Sequence, residues 1–193
     1  MALTTTYFGS VDWYMKLCNG TAPIEIEAHE NYRKQTPRNH CCIATANGVQ
    51  KLTVPVTLPA THTLSDGNIR DVRISDHGNW RHLHWEALAS AYGMSPFYEY
   101  YADDIRPFFE KRWDFLFDYN MDIMRKMLEL LGIERDIIPT ERFTDCHDAV
   151  SSGCTVGPYY QTFERRHGFL QGMSILDLLF NEGPEAALYL LHK

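Results

Sequence analysis

The chain has 193 residues, of which 45% are hydrophobic and 22% are charged, a composition typical of a soluble globular domain. Its 18 Lys and Arg residues against 25 Asp and Glu residues give a net charge of −7, which disfavours nucleic acid as a partner because phosphates are also negative. A chain of this length buries enough apolar surface to fold without disulfides, so we predict a single domain over residues 1–193.

The sequence also predicts a compartment. Its most apolar stretches are too short and too polar to span a membrane, and the first residues lack the basic start of an export signal. The five cysteines are odd in number and form no C-x-x-C pair, which disfavours a disulfide framework and a thiolate zinc site. We therefore expect a cytoplasmic protein with reduced thiols, no membrane span and no metal site.

Short strand patterns dominate the first half of the chain, and the clearest is a hairpin. Two β-rich runs flank the dipeptide Asn47-Gly48. This dipeptide suits a two-residue hairpin turn, in which both central residues have a positive φ. Pro55 in the second run lacks a backbone donor, which favours an edge position or a bulge. In chain order, the patterns predict a strand at residues 3–6, a helix at 11–19, a strand at 24–29, the hairpin at 41–58 and a strand at 69–74.

Helical patterns dominate the second half. Proline is tolerated in a first turn, so Pro107 places a helix start near Arg106, and Gly183-Pro184 ends one helix and begins another. In chain order, the predicted helices cover residues 80–91, 106–117, 120–131 and 174–183, followed by one more after Pro184. Strands followed by helices indicate an α/β or α+β domain, in which helices concentrated in the C-terminal half cover one mixed β-sheet.

The loop between the second predicted strand and the hairpin is unusually basic. Between Glu30 and Asp66 the chain has four basic residues and no acidic one. Guanidinium, ammonium and amide donors suit phosphate or carboxylate, so we predict an anion site in this loop. Its predicted residues are Lys34, Gln35, Arg38 and Asn39. The plainer alternative is a solvated surface loop whose cations pair with nearby glutamates.

Histidines supply the candidates for proton transfer. His77, next to Asp76 at a predicted helix start, and His29, at a predicted strand end, are predicted as catalytic residues together with Asp76, because imidazole exchanges protons near neutral pH. His84 instead falls on the apolar stripe of the same helix and is predicted as a core imidazole. Trp80, Tyr160 and Gln161 mix aromatic rings with an amide, and we predict that they line the substrate site, because such a mix can stack a sugar or a base and hold its polar edge. An edge strand with a surface turn explains Tyr160-Gln161 equally well.

Several motifs occur in a characteristic order over nearly the whole chain. They are Tyr32-x-Lys34-Gln35-x-x-Arg38-Asn39, Leu52-Thr53-Val54-Pro55-Val56, Asp71-Val72-Arg73-Ile74, Tyr92-x-x-x-Pro96-Phe97, Tyr160-Gln161 and Ser174-Ile175-Leu176-Asp177. Together they resemble the WbqC-like protein family, bacterial proteins found in or near surface-polysaccharide (O-antigen) gene clusters. The chain departs from many relatives in its opening, where Thr5-Thr6-Tyr7 replaces a His-Gln-Pro run.

The resemblance implies a transferase that adds glycine or another small acyl group to a polysaccharide sugar. Its substrate would be a small anionic molecule, either a nucleotide sugar or an activated acyl group, and no particular cofactor is implied. One alternative is a non-catalytic binding or assembly protein that uses the basic loop and its aromatic helices to hold a partner or a second copy. Another is a nucleotidyl transferase-like enzyme, suggested by the opening strand and helix, although the chain has no His-x-Gly-His motif.

Overall fold

The computed structural model describes residues 2–20, 23–58, 67–147 and 156–191, which form eight strands and eight α-helices. The strands are β1 (Ala2–Leu3), β2 (Ile24–Ile26), β3 (His40–Thr45), β4 (Gly48–Thr53), β5 (Val56–Thr57), β6 (Arg73–Ile74), β7 (Ile137–Pro139) and β8 (Cys146–His147). The helices are α1 (Val11–Asn19), α2 (Trp80–Tyr92), α3 (Tyr98–Ile105), α4 (Pro107–Glu110), α5 (Leu116–Leu130), α6 (Glu164–His167), α7 (Ile175–Glu182) and α8 (Ala186–Leu191).

Four short strands form a parallel sheet in the order β7-β2-β1-β8. Leu3 is in register with Ile26 on one side and with His147 on the other. Both residues of β1 are buried, as expected for a parallel strand that is covered on both faces. The chain adds β2 and β7 on one side of β1 and then returns to place β8 on the other side. In open α/β sheets, ligands bind outside the carboxyl ends of the strands near such a reversal.

The remaining strands pair separately. β3 and β4 form the predicted hairpin, and β5 pairs with β6. The expected Asn47-Gly48 turn was wrong in detail, because the two turn residues are Ala46 and Asn47, and only Gly48, the first residue of β4, has a positive φ, of +102°. The α/β class is confirmed, with helices concentrated in the C-terminal half. The prediction of one mixed sheet was wrong in detail, because the described parallel and antiparallel pairs lie in separate sheets. Pro55, between β4 and β5, cannot donate to a ladder and separates the hairpin from the next pair.

Helices and their aromatic side chains enclose the core. Helix α7 is buried over nearly its whole length, and its N-cap Ser174 accepts a hydrogen bond from the Leu176 amide. Helix α5 begins earlier than predicted, at Leu116, and α3 was not predicted. The strand expected at residues 69–74 is a 3₁₀ turn, Ile69–Asp71, followed by the short β6. Asn68 favours the turn because its side chain accepts from the Arg70 amide.

Within the described ranges, no helix is both long and apolar enough to cross a membrane. Cys18, Cys41 and Cys42 are free thiols, the Cys146 thiol donates to Glu30 Oε2 at 3.6 Å, and Cys154 lies outside the described residues.

Candidate functional site

The basic loop leaves the carboxyl end of β2 and is fixed there by buried carboxylates. Glu27 is fully buried and accepts hydrogen bonds from the backbone amides of His29, at 2.6 Å, and Thr144, at 2.8 Å. The His29 ring is also engaged, with its Nε2 3.0 Å from the Thr140 carbonyl oxygen. These bonds tie the end of β2 to the segment that joins β7 and β8.

Arg38 lies inside this loop and not on its surface. Its side chain is 1% exposed, and Nε donates to Glu30 Oε1 at 2.8 Å while Nη2 donates to Glu30 Oε2. The Arg38 carbonyl accepts from Asn120 Nδ2 of α5 at 2.8 Å, and the neighbouring Pro37 carbonyl accepts from the Tyr7 amide. Arg38 therefore positions the loop from within, through a bidentate ion pair.

The outer side of the loop and the hairpin enclose a cavity of about 500 Å³, which we call the lysine pocket. Its lining residues come from the loop, from both hairpin strands and from β5: Tyr32, Lys34, Gln35, Asn39, His40, Lys51, Thr53 and Val56. Lys34 and Lys51 are exposed at the surface. The pocket thus concentrates positive charge on a protein whose net charge is −7.

Neutral polar groups accompany the two lysines. His40 is the first residue of β3 and pairs with Thr53 of β4. Burial lowers the pKa of His40 below its ordinary value, and the charge of Lys51 lowers it further, so the ring is neutral at pH 7. Asn39 Nδ2 donates to the Val54 carbonyl at 3.0 Å, whereas the buried Asn39 Oδ1 has no hydrogen-bond partner among the described residues.

A second cavity, of about 350 Å³, lies at the start of α2, and we call it the arginine pocket. It is lined by Asp76, Gly78, Asn79, Arg81, His82, Trp85, Arg106, Phe109, Glu110 and Arg112. Asp76 pairs with Arg81 and Arg112, and the hydrogen bond from Arg81 lowers the Asp76 pKa below its ordinary value. His77 is exposed and is not among the lining residues. The arginines of this pocket are thus largely neutralised by the pocket's own carboxylates.

Trp80 and His84 belong to the aromatic core. Trp80 is 6% exposed, donates from Nε1 to the Ser75 carbonyl at 3.0 Å and meets the His84 ring edge-on at 5.2 Å. His84 Nδ1 lies 2.9 Å from the Tyr7 hydroxyl, and burial lowers the His84 pKa to about 4. The prediction of a core imidazole at His84 is confirmed.

Gln161 belongs to a buried network centred on Asp177. Gln161 Nε2 donates to Asp177 Oδ2 at 2.8 Å, and the hydroxyls of Tyr159 and Tyr92 donate to the same carboxylate at 2.6 and 2.9 Å. Burial raises the Asp177 pKa above its ordinary value. The neighbouring Tyr160 is 52% exposed, and its amide donates to Glu182. The network joins α7, the end of α2 and the segment before α6.

The structure brings some of the predicted residues together and leaves others apart. Lys34, Gln35 and Asn39 line the lysine pocket, and Asp76 lines the arginine pocket. The other predicted residues are outside the linings of both: His29, His77, Arg38, Trp80, Tyr160 and Gln161.

Sequence reasoning missed His40, Lys51 and Thr53 as pocket residues. The expected turn does not supply them, because Asn47 and Gly48 as its two central residues would put Pro55 opposite His40. The turn is instead centred on residues 46 and 47, and this register places Thr53 opposite His40. In the described part of the chain, no group of three His, Cys, Asp or Glu residues is arranged to hold a metal ion.

Comparisons with known proteins agree with the motifs. A model of the WbqC-like protein family matches residues 12–156, a range that includes every residue of the lysine pocket. The chain is also similar to the uncharacterized protein Rv1507c of Mycobacterium tuberculosis, with 27% identity in an alignment that covers 82% of this chain and 83% of that protein. No solved structure gives a significant match.

Proposed function

The chain belongs to the WbqC-like protein family, and from that premise we propose that it is a transferase of surface-polysaccharide synthesis that binds its anionic small-molecule substrate in the lysine pocket. The transferred group is glycine or another small acyl group, and the acceptor is a sugar. The proposal places the reaction in the cytoplasm, the compartment predicted from the cysteine pattern.

The lysine pocket is the observation that carries the proposal. Its volume of about 500 Å³ is in the range typical of small-molecule sites. Lys34 and Lys51 supply positive charge, and His40 and Asn39 supply neutral hydrogen-bonding groups beside them. The loop that forms one wall follows the carboxyl end of β2, where α/β sheets commonly hold ligands. These features support binding of an anion that also carries polar, uncharged groups.

Substitution of the two lysines tests the proposal. We expect Lys34→Ala and Lys51→Ala each to weaken binding of nucleotide sugars or activated acyl donors about tenfold, because each removes one charge–phosphate contact. A thermal-shift screen of these compounds identifies the ligand, because a ligand at a hundred times its Kd stabilises the native state by about 2.7 kcal/mol. Calorimetric titration then gives the affinities.

Lys111→Ala is the matched control because Lys111 is exposed and outside the pocket lining. Equal affinity in the pocket variants and this control would contradict the proposal.

The sheet order favours a second candidate, a nucleotidyl transferase-like enzyme. Numbered along the chain, the four parallel strands have the order 3-2-1-4, the order of the first four strands in dinucleotide-binding folds. This support is an analogy of fold and does not identify reacting groups. ATP and CTP therefore belong in the same thermal-shift screen. Stabilisation by a nucleoside triphosphate, and not by a nucleotide sugar or acyl donor, would favour this second candidate.

A further inference from the structure

We infer that the lysine pocket selects a terminal phosphate group, which carries two negative charges, over a group of the same shape with one charge. The inference rests on the proposed function, because it specifies the ligand class of the same pocket. A terminal phosphate occurs in acyl phosphates and in sugar phosphates. Among activated acyl groups, the inference therefore favours an acyl phosphate over an acyl adenylate, whose phosphate is linked on both sides and carries one charge.

Two lysines supply the positive charge of the pocket, and they come from different walls. Lys34 lies in the loop between β2 and β3, and Lys51 lies in β4. Lys51 and Thr53 are both exposed and both line the pocket, whereas Leu52 between them is buried. Alternate residues of a strand share a face, so Lys51 lies on the face of the hairpin that forms the pocket wall.

Neither ammonium group is neutralised within the part of the chain that the structure describes. The ion pairs found there join other residues, and no carboxylate is among the lining residues of the pocket. Glu30, the acidic residue nearest to Lys34 in the sequence, is buried and pairs with Arg38. The pocket lining therefore carries the charges of Lys34 and Lys51 and no negative charge.

Uncompensated positive charges distinguish anions by their charge. The energy of attraction is proportional to the product of the two charges, so a lysine attracts a dianion about twice as strongly as a monoanion of the same shape. A lysine that raises the affinity for a dianion about tenfold raises that for a monoanion about threefold. Two such lysines give about a tenfold preference for the dianion.

Phenyl phosphate and phenyl sulfate test this preference, because the two esters match in shape and differ by one charge. Both are titrated calorimetrically against the intact protein at about pH 7.5, where the phosphate ester is a dianion because its second pKa is about 6. The ionic strength is low and constant, since salt screens exposed charges. We expect phenyl phosphate to bind about tenfold more tightly than phenyl sulfate. Equal affinity for the two esters overturns the inference.

Variants assign the preference to the two lysines. We expect Lys34→Ala and Lys51→Ala each to lower the affinity ratio of the two esters from about tenfold to about threefold, and the double variant to abolish the preference. Gln35→Lys adds a third charge to the lining and should raise the ratio to about thirtyfold. The matched control, Lys111→Ala, removes an equal charge outside the lining and should leave the ratio unchanged. An unchanged ratio in the double variant overturns the inference.

Two further ligands distinguish the sources of a terminal phosphate. Acetyl phosphate represents an activated acyl group and glucose 1-phosphate a phosphorylated sugar, and both are titrated under the same conditions. We expect at least one of them to bind more tightly than phenyl sulfate, and the tighter of the two identifies the source. Weaker binding of both than of phenyl sulfate overturns the inference.

The outcomes separate this inference from the proposed function. Anion binding that depends on Lys34 and Lys51 but shows no preference for the doubly charged ester contradicts the inference alone. Absence of any lysine-dependent binding, of phosphates and acyl donors alike, contradicts both.

Discussion

We expect the buried residue His84 to make the stability of this protein depend on pH. His84 is 6% exposed and contacts Tyr7, Trp80 and Phe109. Burial lowers its pKa from 6.5 to about 4, so the folded protein resists protonation of this ring while the unfolded chain accepts a proton. The stability contributed by neutral His84 is therefore complete above pH 6.5 and is lost as the pH falls toward 4.

We expect the free energy of unfolding to fall by about 3 kcal/mol between pH 7 and pH 4 because of His84. Urea unfolding at a series of pH values measures it. His84→Gln, which has no titrating ring, should be less stable at pH 7 but should lose less stability on acidification. His82→Gln is the control, because His82 is an exposed histidine of the same helix. Parallel pH curves for His84→Gln and the wild type would show that this assignment is wrong.

The sequence predicted residue types at the candidate site better than it predicted their surroundings. Lys34, Gln35 and Asn39 were found because a cluster of basic and amide side chains is visible in the sequence. The burial of Arg38 was not visible, because it depends on Glu30 turning inward to meet it. A buried cation needs such a carboxylate partner, and the distance between two loop side chains cannot be obtained from their spacing.

At the scale of elements, a buried ion pair spans the loop between β2 and β3 and ties its two ends together. Glu30 and Arg38 are almost fully buried, and both terminal oxygens of Glu30 accept from the guanidinium. The same pair holds the backbone next to Asn39, which lines the lysine pocket. We infer that the shape of the pocket depends on this pair.

Glu30→Gln tests that dependence. It leaves the Arg38 guanidinium buried without its carboxylate, so we expect a loss of about 3–5 kcal/mol in the free energy of unfolding. Chemical denaturation measures this loss. The matched control is Glu110→Gln, which breaks the exposed pair with Arg106 and should cost less than about 1 kcal/mol. Similar losses in the two variants would contradict a structural role for the buried pair.

The start of α7 was predictable from the sequence, but the role of its inward-facing Asp177 was not. Ser174 is the N-cap of this helix, which was predicted at residues 174–183. Asp177 faces the core and accepts from Tyr92, Tyr159 and Gln161. The spacing of residues within a helix shows only local contacts, whereas these donors come from other segments of the chain. The sequence therefore could not show that Gln161, predicted as a ligand contact, is buried in this network.

At the scale of the whole molecule, the order of strands and helices predicted the α/β class but not the sheet topology. β7 and β8 are only three and two residues long, too short to show an alternating pattern. Their places beside β2 and β1 come from parallel pairing between distant segments, for which the sequence offers no local signal. The hairpin of β3 and β4 was predictable because its turn and both its strands are contiguous.

Across the whole molecule, the lysine pocket and the arginine pocket differ in their balance of positive and negative side chains. The arginine pocket also contains cations, but Asp76 and Glu110 lie within it and pair with its arginines. No carboxylate is among the lining residues of the lysine pocket. An anionic ligand therefore finds uncompensated positive charge in the lysine pocket, which makes it the favoured site of the two.

A crystal structure of the protein with the anionic ligand that the thermal-shift screen identifies tests the central claim most directly. We expect the anionic group of that ligand between the ammonium groups of Lys34 and Lys51. Occupancy of the arginine pocket instead, with the lysine pocket empty at saturating ligand, would contradict the account.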